Sequence, residues 1–225
     1  MLGRMCPWSG HAPATISFCE RRLCAWIVEP SNAWSNVAYV LVGLFIIWRN
    51  PERWRDARTA IGVGAVLIGL GSFSFHATGI RVFEIVDVAT MYVISGLGLT
   101  FALKRWREWS DALALGFFVA CLAASCVLMI VLGNDGILVF GVELGLAVVI
   151  EIRLRATNPP AATPWLVAVV SSFAAALAIW VLDLRGPLCA PDNHLVTGHA
   201  IWHALTAVTI LCFFRFQQVV GEQPV

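Results

Sequence analysis

Three histidines sit inside the most apolar parts of this chain: His76, which ends SFSFH at residues 72–76, and His199 and His203 in GHAIWH at residues 198–203. An imidazole in such surroundings needs a polar partner or a ligand. His199 and His203 are four residues apart, as are Ser72 and His76, so each pair shares one face of a helix. Two neutral imidazoles one turn apart can grip a metal ion. A third from another helix makes three protein ligands and leaves the fourth position to water. Zinc suits such a set because it is redox-inert and lowers the pKa of its water to roughly 7. Asp87 then serves as general base or as hydrogen-bond acceptor for that water, and Ser72 as donor to a developing oxyanion. Taken singly, each piece reads as packing, since an H-x-x-x-H pair in an apolar helix is more often a helix–helix hydrogen bond. Taken together, Ser72, His76, Asp87, His199 and His203 favour a metal site.

Long apolar helices must carry these residues. Hydrophobic residues make up 59% of the 225, and mean hydropathy is +0.80. Only 13% are charged, against roughly 25% in soluble domains. Seven runs approach or exceed the ~18 residues needed to cross a bilayer. They cover about 33–49, 59–78, 82–103, 111–132, 137–153, 164–183 and 196–217. The fold class is therefore an all-α membrane protein, a seven-transmembrane helix bundle. A net charge of +1 gives no basis for binding nucleic acid.

Loops after the first, third and fifth runs carry about four, three and two basic residues; those after the second, fourth and sixth carry one, none and one. This bias places the N-terminus outside and the C-terminus in the cytoplasm. With that orientation the five polar residues share one depth, in the outer leaflet. Three divisions are expected: an extracytoplasmic segment 1–32, a seven-helix transmembrane domain 33–217 and a short cytoplasmic tail 218–225. The first 30 residues lack the apolar core of a cleavable signal peptide. Their three cysteines and two tryptophans read as an ordered segment rather than a floppy tail. Glu84 reads as facing the same cavity as Asp87 or the membrane interface, and Asp183 as a helix cap. Glu143 and Glu151 read as paired or snorkelling, His194 as a surface or loop residue, and Phe75 and Trp202 as flanking the proposed ligands.

SFSFHAT, Asp87 eleven residues after His76, and GHAIWH together resemble the alkaline ceramidases, part of the CREST superfamily. EPSNAWSN at residues 29–36 is similar to the acidic and asparagine-rich signature that opens their first span. The resemblance runs from about residue 17 to 216 and implies a seven-helix intramembrane hydrolase. It implies zinc on His76, His199 and His203, with Ser72 and Asp87 assisting at the bound water. The substrate it implies is a membrane lipid, ceramide, cleaved at its amide to fatty acid and sphingoid base. It also pairs Cys19 with Cys189, which align with a bridged pair in that family; Cys6 and Cys24 remain on the same side with no motif to assign them. Cys121, Cys126 and Cys212 fall inside spans and read as small core residues.

The chain departs from the family at two places, as a divergent, bacterial member would. In SFCERRL, Glu20 and, further on, Glu29 remain of a calcium site, but Ser17 and Arg22 stand where Asp and Asn are expected. Calcium is therefore expected to bind weakly or not at all. The run DVATMY replaces the family's Asp-Glu-x-Pro after the catalytic aspartate, which bears on the substrate. The alternatives are an ester or phospholipid hydrolase of the same superfamily, or a receptor-like or lipid-carrying protein with structural zinc.

Overall fold

The computed structural model describes residues 6–50, 56–184 and 186–221, with all side chains except those at 134 and 135. Residues 1–5 and 222–225 of the expected terminal divisions, the loop at 51–55 and position 185 lie outside the described residues. The described residues form α1 (Pro30–Ser35), α2 (Val37–Arg49), α3 (Thr59–Thr78), α4 (Arg81–Arg107), α5 (Asp111–Leu132), α6 (Ile137–Leu154), α7 (Thr163–Leu184) and α8 (Gly198–Gly221). Apolar runs of this length become helices because a helix satisfies its own backbone where water is absent.

Among the described residues, six helices are long and apolar enough to cross a membrane: Pro30–Arg49, which joins α1 and α2, then α3, α4, α5, α7 with its preceding turn, and α8. The expected fifth span, α6, does not join them, because its eighteen residues carry Glu143, Glu151 and Arg153. Two of these charges turn inward. Glu143 accepts from Ser95 of α4 and from Ser125 and Cys121 of α5, while Glu151 pairs with Arg105. The first span breaks at Asn36, whose side-chain amide bonds the Asn32 carbonyl at 2.8 Å and competes with the helical ladder.

The helices pack α2 on α3, α3 on α4 and α4 on both α5 and α6, while α7 lies along α8 and α8 closes against α1 and α2. Ile46, Ile61, Ala65 and Phe214 are fully buried at the junction of α2, α3 and α8. Outward-facing residues such as Ile130 and Val131, about three-quarters exposed, present an apolar exterior suited to lipid. A tight reversal joins α3 to α4. Gly79 adopts φ +65°, a left-handed conformation that costs glycine little, and its N–H bonds the Phe75 carbonyl at 2.7 Å. That turn sets His76, at the end of α3, beside the start of α4.

The described part of the N-terminal segment, residues 6–29, packs on the helices. It lies across the α3–α4 turn: Ala14 N–H bonds the Gly79 carbonyl at 2.9 Å, and Arg81 N–H bonds the Ala12 carbonyl at 2.9 Å. Glu84 lines a small cavity with Ile16, Arg81 and Met129, and its carboxylate accepts from the Thr15 amide and hydroxyl and pairs with Arg81. Two disulfides fasten the segment. Cys19 is bridged to Cys189, as the resemblance implies, and Cys6 to Cys24. Cys121, Cys126 and Cys212 are free and half-buried.

Candidate metal centre

His76 comes from the last turn of α3, and His199 and His203 from the first two turns of α8. All three are buried, and one ligand atom from each lies within 4.8 Å of the others. His76 Nε2 and His199 Nε2 are 3.3 Å apart, a spacing suited to two nitrogens that share one ion.

The ring tautomers follow from what holds the outer nitrogens. His76 Nδ1 lies 2.7 Å from Glu29 Oε2, and a carboxylate only accepts, so Nδ1 carries the proton. His203 Nδ1 lies 2.7 Å from Ser35 Oγ, and that hydroxyl already donates to the Asn32 carbonyl at 2.9 Å. His203 Nδ1 must therefore donate as well. In both rings the Nε2 lone pair is left facing the cluster, which is how outer partners prepare metal-binding histidines. The residues present thus fit a borderline-soft divalent ion such as zinc.

Glu29 is the hub of the support. Besides His76 it accepts from Arg22 Nε at 2.9 Å and Asn32 Nδ2 at 3.2 Å. Burial pushes its carboxyl up, but the His76 hydrogen bond and the Arg22 guanidinium outweigh it and hold the carboxyl below the usual range. Glu20, the second acid of the weak calcium reading, accepts from the Ser31 and Asn32 amides at 3.0 and 2.9 Å and bonds His194 at 3.0 Å. Both carboxylates therefore position the first span and His76. His194 is a loop residue, as read from the sequence.

Ser72 is buried one turn before His76, and Asp87 is half-buried on α4. Ser72 and His76 both act on the Asp87 carboxylate, which places Asp87 beside the histidine cluster. Phe75 packs against His76 with ring centroids 4.8 Å apart. Trp202 turns the other way, towards Trp180 and Phe173 of α7, each 5.7 Å away. An apolar cavity of about 80 Å³ opens between α4, α6, α7 and α8, lined by Ile94, Gly98, Leu144, Thr209 and Phe213.

The start of α8 is fixed by Asp183 at the end of α7. Its carboxylate accepts from the Gly198 and His199 amides at 2.9 and 3.2 Å. A Cβ on Gly198 would fall 2.5 Å from the Asp183 Cβ, so this close approach needs glycine. Thr197 caps the same turn through Ala200 N–H at 3.0 Å and reaches Asn32 Oδ1 at 2.6 Å. Asp183→Ala orphans two buried donors, at roughly 1–3 kcal/mol each. The expected result is a clearly lower melting temperature in detergent; an unchanged one contradicts this role.

Comparison with known proteins agrees with this geometry. The family model described as Ceramidase matches residues 10–223. Alkaline ceramidase YPC1 of Saccharomyces cerevisiae is 24% identical over 241 residues, covering 89% of this chain and 74% of that protein.

Proposed function

This chain belongs to the Ceramidase family, and on that premise we propose that it is an intramembrane zinc hydrolase that cleaves the amide of ceramide or a related lipid amide. The convergence of the His76, His199 and His203 nitrogens beside the Ser72–Asp87 pair carries this reading. His76, His199 and His203 would hold a zinc ion, which would supply Lewis acidity towards water and the scissile carbonyl. Asp87 takes the proton of the attacking water and returns it to the leaving nitrogen, so the sphingoid amine departs neutral. Ser72 donates its hydroxyl to the oxyanion of the tetrahedral intermediate. The apolar cavity offers room for a hydrocarbon chain. Thr209 on its wall lies six residues beyond His203, ~9 Å along α8.

In this reading α6 is the fifth of seven spans, with Glu143 and Glu151 partnered inside the bundle. The site lies towards the extracytoplasmic leaflet, and the C-terminus is cytoplasmic. Two disulfides on the site's side of the molecule support that orientation, because disulfides persist in oxidising compartments.

The test is lipid mass spectrometry on purified protein given ceramides, glycerophospholipids and other N-acyl amides. Wild type is expected to release fatty acid from ceramide, and Asp87→Asn to lose roughly 10²–10⁴-fold in rate with its metal retained. No release from any lipid class by metal-loaded wild type sinks the hydrolase; release only from glycerophospholipids moves the reaction to an ester.

A further inference from the structure

Two of the three metal-centre histidines are held at Nδ1 by a hydrogen bond, from His76 to Glu29 and from His203 to Ser35. The third is not. His199 Nδ1 is buried and has no hydrogen-bond partner among the described residues. Asp183 fixes the His199 amide but does not touch its ring. Rotation about the last torsion of a histidine is broad and roughly two-fold, so an unheld ring exchanges the nitrogen it offers to a metal.

The His199 ring is instead held by its face. Phe18 stacks on it with centroids 3.8 Å apart and planes 26° from parallel. The His203 ring meets it edge-on at 4.4 Å and 71°. Imidazole binds a metal in its plane, so a ring stacked on its face restrains rotation without competing for the lone pair. Phe18 is itself anchored. Its neighbour Cys19 is bridged to Cys189, Glu20 caps α1, and the Arg22 Nη2 bonds the Ile16 carbonyl at 2.9 Å. No part of the proposed reaction uses Phe18.

We propose that Phe18 is a positioning residue whose ring, stacked on His199, orients the third metal ligand where no hydrogen bond does so. The extramembrane segment thereby supplies part of the centre, and this assignment rests on the zinc-hydrolase reading above. The gain from such a stack, and the usual cost of losing an outer partner of a metal ligand, both correspond to about tenfold in affinity.

The experiment measures zinc affinity by chelator competition, and the visible absorption of the cobalt(II)-substituted protein, on the whole chain in detergent. Phe18→Leu and Phe18→Met are expected to weaken zinc binding about tenfold and to alter the cobalt spectrum. Phe18→Tyr is expected to restore both. Trp8→Leu is expected to change neither, since Trp8 lies on the same segment but packs on Trp26 and His11. Wild-type affinity and spectrum in the Leu and Met variants overturn the proposal, and so does equal weakening by Trp8→Leu. If the leucine variant does not fold, the methionine variant decides. A wild type that binds no zinc overturns the hydrolase reading itself, whereas zinc-binding wild type with indifferent Phe18 variants overturns this inference alone.

Discussion

His203→Ala is expected to abolish bound metal and lipid hydrolysis together. Its Nε2 is one of only three protein nitrogens in the centre, and its Nδ1 is the partner of Ser35. Alanine leaves two ligands and a space the size of an imidazole. Metal catalysis contributes several kcal/mol to such reactions, so its removal costs on the order of a thousand-fold or more in rate. The change lies in the second turn of α8, where Asp183 and Thr197 still fix the helix start, so the bundle is expected to persist. The measurement pairs elemental analysis of the purified variant with fatty-acid release from ceramide. Full hydrolysis by a metal-free variant would falsify the assignment of the centre.

Glu29→Ala is expected to be the most damaging change outside the ligands. The carboxylate is 1% exposed and joins three groups: the Nδ1 of His76, the guanidinium of Arg22 and the amide of Asn32. Its loss frees the His76 ring, and outer partners of this kind are worth 10–100-fold in metal affinity, here expected at the upper end of roughly that range. It also strands Arg22. A buried charge left without its partner costs about 3–5 kcal/mol, and the one-third exposure of Arg22 places the expected cost near or below the lower end of that range. Glu29→Gln keeps an acceptor for His76 and is expected to fall between wild type and alanine in zinc affinity. Chelator competition and thermal unfolding in detergent read the two effects separately. Wild-type zinc affinity in Glu29→Ala removes Glu29 from the centre.

The histidines were legible in the sequence because a helix makes spacing into geometry. His199 and His203 at i and i+4 had to share a face, and matching depths brought His76, Ser72 and Asp87 level with them. Helix limits were legible for a similar reason: 59–78 and 111–132 coincide with α3 and α5, whose long apolar runs end at Gly79 and Gly133. Glu29, Ser35, Phe18 and Asp183 followed no such rule. They reach the histidines from other elements, and nothing in their spacing points to His76, His199 or His203. A visible signal did exist at Glu29, a lone acid at the mouth of a span, but it read equally well as a calcium ligand. The helix α6 was legible in its apolar run at 137–153, but the partners of Glu143 and Glu151 were not, because they lie on α4 and α5.

The Cys19–Cys189 bridge spans 170 residues and joins groups that are far apart along the chain. Synthesis runs from the N-terminus, so residues 18–35 leave the ribosome well before residues 183–203. Until α8 enters the membrane, the chain has one of its three imidazoles in place and no closed pocket to retain an ion. Under the proposed zinc-hydrolase reading, an ion can therefore be held by all three imidazoles only after α8 has joined the bundle.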